Sequence, residues 1–99
     1  MTRTTDFVAE LIRAANEIER LMPLERRRLL DRSVSTILAL RDYLEASGKV
    51  VPFERGVSKD LQQVSAMLHE VPEVIVAHAL LEAADEIRRL RILAHDDKG

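Results

Sequence analysis

Cysteine and tryptophan are both absent from the chain, and aromatic residues make up only 3% of it. Without cysteine there is no disulfide framework, no thiol nucleophile and no thiolate metal site. With so few rings, any core must be built from Leu, Ile, Val and Ala, a composition suited to helices. Glycine is scarce too, with three residues in 99. That leaves no glycine-rich loop to cradle a phosphate. No uninterrupted apolar run reaches the length of a membrane span, and the opening "MTRTTDF" has no apolar signal region, so cytoplasmic residence is expected. A basic excess is also missing. The formal net charge is −2, which weighs against a non-specific nucleic-acid binder.

Hydrophobic residues are plentiful, at 46%, beside 32% charged residues, the balance of a folded globular chain. Ninety-nine residues support one core and hence one domain, 1–99. The hydrophobic period is helical in four segments. In the first, about 5–22, Val8, Leu11, Ala15, Ile18 and Met22 share a face, and Glu10, Arg13, Glu17 and Arg20 line the opposite one. Thr4, Thr5 or Asp6 is placed to cap it, and Pro23 stops it. The second, about 23–47, carries Leu30, Val34, Ile37, Leu40 and Leu44, spans roughly 36 Å and ends at Gly48.

The stretch "GKVVPFERG", 48–56, reads as a crossover loop whose Val50, Val51 and Phe53 tuck onto the bundle. A third segment, about 58–71, starts at a Ser58 cap and keeps Val57, Leu61, Val64, Leu68 and Val71 in register. After Pro72 the fourth, about 72–94, places Val76, Leu80, Ala83, Ile87, Leu90 and Ala94 together, before a frayed "HDDKG" tail. No internal repeat is visible. These segments predict an all-α bundle whose two long helices, 23–47 and 72–94, run antiparallel.

The run "EVPEVIVAHALLEAAD" concentrates the candidate chemistry. Its Glu70-x-x-Glu73 and Glu82-x-x-Asp85 resemble the metal-binding motif of the all-helical nucleotide pyrophosphatases of the MazG kind. The resemblance would imply magnesium held by four carboxylates from two neighbouring helices. Here both halves fall on one predicted helix, where Glu73 and Asp85 are about 18 Å apart along the axis. On a helical wheel His78, Glu82, Asp85 and Arg89 share a narrow sector, as the solvated side of an ordinary helix does. His78 and Glu82 could hold an ion only between two chains, and the chain has three histidines in all. Serines 33, 35, 47, 58 and 65 lack a nucleophile's context. No catalytic residue, metal ligand or cofactor is expected.

The apolar arc of the fourth segment is wider than a bundle helix needs, because Ala77, Leu81 and Ala84 extend it. A homodimer is therefore expected through Ala77, Leu80, Leu81 and Ala84. Arg26, Arg27 and Arg28 in "ERRRLLDR" sit at a helix start, where the dipole does not explain them, and suggest a docking surface for an acidic partner. The same cluster could serve a helix-turn-helix reader, but the following helix is long and Glu25 and Asp31 dilute its charge. The expected function is a small non-enzymatic interaction module, an adaptor, inhibitor or anti-activator that occludes a larger protein through a helical face. A helical DNA-binding regulator is the alternative, followed by the metal-dependent pyrophosphatase.

Overall fold

Pro23 and Pro72 each stand at the start of a long helix, and the architecture follows from that. The computed structural model describes residues 3–51 and 56–95. α1 spans Arg3–Asn16 and α2 Pro23–Ala46; α3 spans Val57–Ala66 and α4 Glu73–His95. Short 3-10 turns, Ile18–Arg20 and Leu68–Glu70, precede the two long helices. The first expected segment is thus shorter as an α-helix, because Met22, next to Pro23, is held extended at φ −71°, ψ 153°. Pro23 fits the first turn of α2, where its missing N–H costs nothing, and Glu25 accepts a hydrogen bond from the Met22 amide at 3.0 Å. Pro72 does the related task for α4 with its carbonyl, which accepts from Ile75 and Val76 at 3.0 and 3.2 Å.

α2 ends in a left-handed Gly48 at φ 74°. The amides of Gly48 and Lys49 return to the Glu45 and Leu44 carbonyls at 3.1 and 3.0 Å. Gly56, at φ 81°, stands before α3 in place of the expected Ser58 cap. Val50 is 88% exposed, contrary to expectation; Val51 packs on the core, and Phe53 lies outside the described residues, as does the tail from 96.

The chain is an all-α bundle of four helices, with no strand among the described residues. Its long helices run parallel, which corrects the antiparallel expectation. Arg26 near the start of α2 bonds Glu73 at the start of α4 at 2.9 Å. At the other end Lys49 donates to the carbonyls of Leu93, at 3.3 Å, and Ala94. The cause is the short α3, which carries the chain back before α4 begins. α2 and α4 are each the second member of a hairpin and so point the same way.

The two hairpins are one design used twice, a repeat not visible in the sequence. Pro23 and Glu73 open the long helices fifty residues apart, as Ile18 and Leu68 open the 3-10 turns. Burial follows the same spacing. Phe7 and Val57, Leu11 and Leu61, Ile18 and Leu68, Leu30 and Leu80, and Ile37 and Ile87 are all buried. The packing is crossed. α1 lies mainly on α4, and α3 more on α2 than on its own hairpin partner. The core forms between α2 and α4, where Leu30, Ile37, Leu44, Val76, Leu80, Ala83 and Ile87 are completely enclosed. Small side chains at Ala79, Ala83 and Ala84 let neighbouring backbones approach, and each enclosed aliphatic contributes on the order of 2 kcal/mol. Two hydroxyls inside are paired: Ser33 Oγ donates to the Leu29 carbonyl at 2.7 Å and Ser65 Oγ to Asp31 at 2.8 Å.

Candidate docking surfaces

Arg26, Arg27 and Arg28 are consecutive on α2 and therefore point about 100° apart, which gives them three different surroundings. Arg26 turns back under the 3-10 turn. Its Nε donates to the Leu21 carbonyl at 3.1 Å, and its Nη2 to the Ile18 carbonyl at 2.8 Å and to Glu73 at 2.9 Å. With its side chain 14% exposed, it ties the hairpin turn and both long helices together. It is a structural clamp, its donors engaged within the chain. Arg27 is half-buried in a shallow depression with Pro23, Leu24, Leu68 and His69. Arg28 is exposed, beside a groove of about 320 Å³ between α1 and α2.

That groove has Leu21 and Leu29 as its apolar floor and Glu10, Glu25 and Arg32 on its walls. Arg32 spans it, lying 4.1 Å over the Phe7 ring and 3.5 Å from Glu10. The exposed ion pair is worth little, but the stacked guanidinium adds about 0.5–1 kcal/mol and props α1 away from α2. At the equivalent positions the second hairpin has Val57, Asp60 and Glu82, and α3 sits closer to α4. The corresponding groove, about 420 Å³, is lined by Val57, Asp60, His78, Leu81, Glu82 and Asp85. Two grooves of common backbone design thus carry different charge. Arg28 and Arg32 line the first, while the second has carboxylates and a histidine.

The residues expected to form a dimer separate in the same way. Leu80 is fully buried and Ala84 is 4% exposed, both inside the core of the single chain. Ala77 is half-buried and packed on that core, and only Leu81, at 42%, faces outward. The wide apolar arc of α4 is explained within the chain, since α1, α2 and α3 all pack on it.

The carboxylate motif stays dispersed. His78 and Glu82 are 3.7 Å apart with side chains 69% and 46% exposed, a solvated helical pair. Among the described residues no three His, Asp or Glu side chains gather so that they could hold a metal ion. Glu86 escaped the sequence reading. It is 2% exposed and accepts from Arg89 at 3.3 Å, one turn along α4. Nothing in its spacing distinguishes it from the solvated acids beside it.

These features define a class: a crossed pair of helical hairpins with grooves on its flanks and no membrane-crossing helix among the described residues. The comparisons take it no further. The chain matches no family model, no curated protein and no solved structure.

Proposed function

We propose that the protein is a non-enzymatic helical interaction module, an adaptor, inhibitor or anti-activator that occludes a larger protein partner. The docking surface is the groove between α1 and α2. The observation that carries this reading is Arg28, an exposed cation at the mouth of a groove with an apolar Leu21 and Leu29 floor. Among the described residues Arg28 makes no ion pair. An amphipathic helix with two apolar anchors one turn apart and a flanking carboxylate is complementary to such a surface. A charge at the rim then sets partner choice and association rate more than bulk affinity.

The test uses the full chain as bait in extracts of its native host, with Arg28→Glu as the paired control. Loss of a captured protein from the variant, with unchanged thermal melting, supports the reading. Equal capture by both chains overturns it. Binding of duplex DNA that falls steeply with salt and is lost in Arg28→Glu would assign the arginine to phosphate instead.

A further inference from the structure

Every acid of α4 lies at or before residue 86, and every arginine at or after residue 88. Glu73 is engaged with Arg26 and Glu86 with Arg89, both within the chain. Between them the outward side of α4 presents one row, Leu81, Asp85, Arg88 and Ile92, all four exposed. Spacings of four, three and four residues keep the row in line along the helix. Leu81 and Ile92 stand 42% and 54% exposed, although α1, α2 and α3 already cover the rest of α4.

The row is its own complement in reverse. When a second α4 is laid antiparallel, with a two-fold axis level with Glu86 and Ile87, Leu81 meets Ile92 and Asp85 meets Arg88. The axis repeats both pairs, giving four layers of an antiparallel coiled coil, apolar at the ends and ionic in the middle. Parallel pairing would set Asp85 on Asp85 and Arg88 on Arg88. Arg88 has no ion-pair partner among the described residues. Asp85 has a polar contact within its own chain, and a carboxylate accepts from more than one donor. The other long helix supplies an internal comparison. Fifty residues earlier α2 carries Asp31, Ser35, Leu38 and Asp42, and the same reversal would set Asp31 against Asp42.

The surface also has a socket. His78, Leu81, Glu82 and Asp85 stand at i, i+3, i+4 and i+7, the four sides of a coiled-coil hole, and with Val57 and Asp60 they line the groove of about 420 Å³. In the antiparallel register the side chain that arrives there is a second copy's Ile92, over the apolar Val57 and Leu81. We infer that α4 pairs in this way with α4 of a second copy, each Ile92 seated in the α3–α4 groove of the other chain. Leu81 is the one residue shared with the dimer expected from sequence, and none comes from the Arg28 groove. The paired stretch, 81–92, is about 16 Å long, too short to bury the roughly 800 Å² that one partner contributes to a standard interface. The dimer is therefore transient and depends on concentration.

Sedimentation velocity of the full chain from about 10 µM to about 1 mM tests it. A dimer fraction that rises across this range is expected, and a monomer throughout overturns the inference. Arg88→Asp and Asp85→Arg each set like charges opposite one another and should each weaken the dimer by about tenfold or more. An equal mixture of the two variants should recover the parental dimer, because each then supplies the charge that the other lacks. A mixture that stays monomeric overturns the register. Should Asp85→Arg melt early through loss of its contact within the chain, crosslinking in the cysteine-free background takes its place. Leu81→Cys and Ile92→Cys change only exposed side chains. In either variant alone the two sulfurs sit about 16 Å apart along the pair, whereas a disulfide needs Cα atoms within about 7 Å. Mixed and oxidised, the variants should form the unlike disulfide, and equal yields of disulfide dimer from either variant alone overturn the proposal.

Discussion

Replacing Arg26 with alanine should destabilise the protein far more than replacing its neighbour Arg28. The change removes two bonds from a charged donor to the Leu21 and Ile18 carbonyls, and the contact with Glu73. Bonds to a charged group are worth about 1.5–3 kcal/mol each, and the carbonyls lie close enough to solvent that the lower end applies. The Glu73 carboxylate is 53% exposed, so that contact adds less than about 1 kcal/mol. The total is about 3 kcal/mol, a large share of the roughly 5–15 kcal/mol that holds a domain of this kind. Thermal melting should fall by roughly 12–20 °C. The urea midpoint should drop by roughly 2 M with an unchanged slope, since the surface exposed on unfolding is the same. Arg28→Ala should stay within about 0.5 kcal/mol of the parent. Arg26→Lys should recover less than half of the loss, because an ammonium cannot reproduce the planar fork. Equal midpoints for Arg26→Ala and Arg28→Ala would refute the clamp.

Adjacent leucines on α4 give a second contrast. Leu80→Ala, in the enclosed core, should cost about 3 kcal/mol by chemical denaturation, and Leu81→Ala less than about 1 kcal/mol. Comparable losses would mean that α4 is rotated from the orientation found. At Gly56 an added Cβ meets open space, but φ is +81°, so Gly56→Ala should cost about 1 kcal/mol from backbone strain alone. A neutral or stabilising melt would refute the left-handed geometry before α3.

The buried faces were legible because hydrophobic period is a local property. Val76, Leu80, Ala83, Ile87, Leu90 and Ala94, one stripe in sequence, are all buried, as are Leu30, Val34, Ile37 and Leu44. Helix direction was not legible, because it depends on how the short α3 returns the chain. The repeat was hidden by divergence of its surfaces. At the fifty-residue spacing only Leu11 and Leu61, Leu30 and Leu80, Ile37 and Ile87, Leu40 and Leu90, and Arg41 and Arg91 are identical, and the two prolines are offset by one position. The wide arc of α4 is visible in the sequence, but a sequence does not reveal how many neighbours a helix has; α1, α2 and α3 all pack on this one. Among the arginines, type and clustering could be read, whereas the function of each was decided by 100° of rotation per residue.

Crossed packing also governs the order in which this molecule can assemble. A bundle of hairpins that close on themselves gains its contacts early, from neighbours in sequence, and such chains fold fastest. Here α1, residues 3–16, finds its main support on α4, residues 73–95. The loop between the hairpins must therefore close before the first helix has anything to rest on. On the ribosome α1 is made before its platform, so the leading hairpin waits with its apolar face uncovered until α4 has emerged. The duplicated design thus ties the folding of the first half to the completed synthesis of the second.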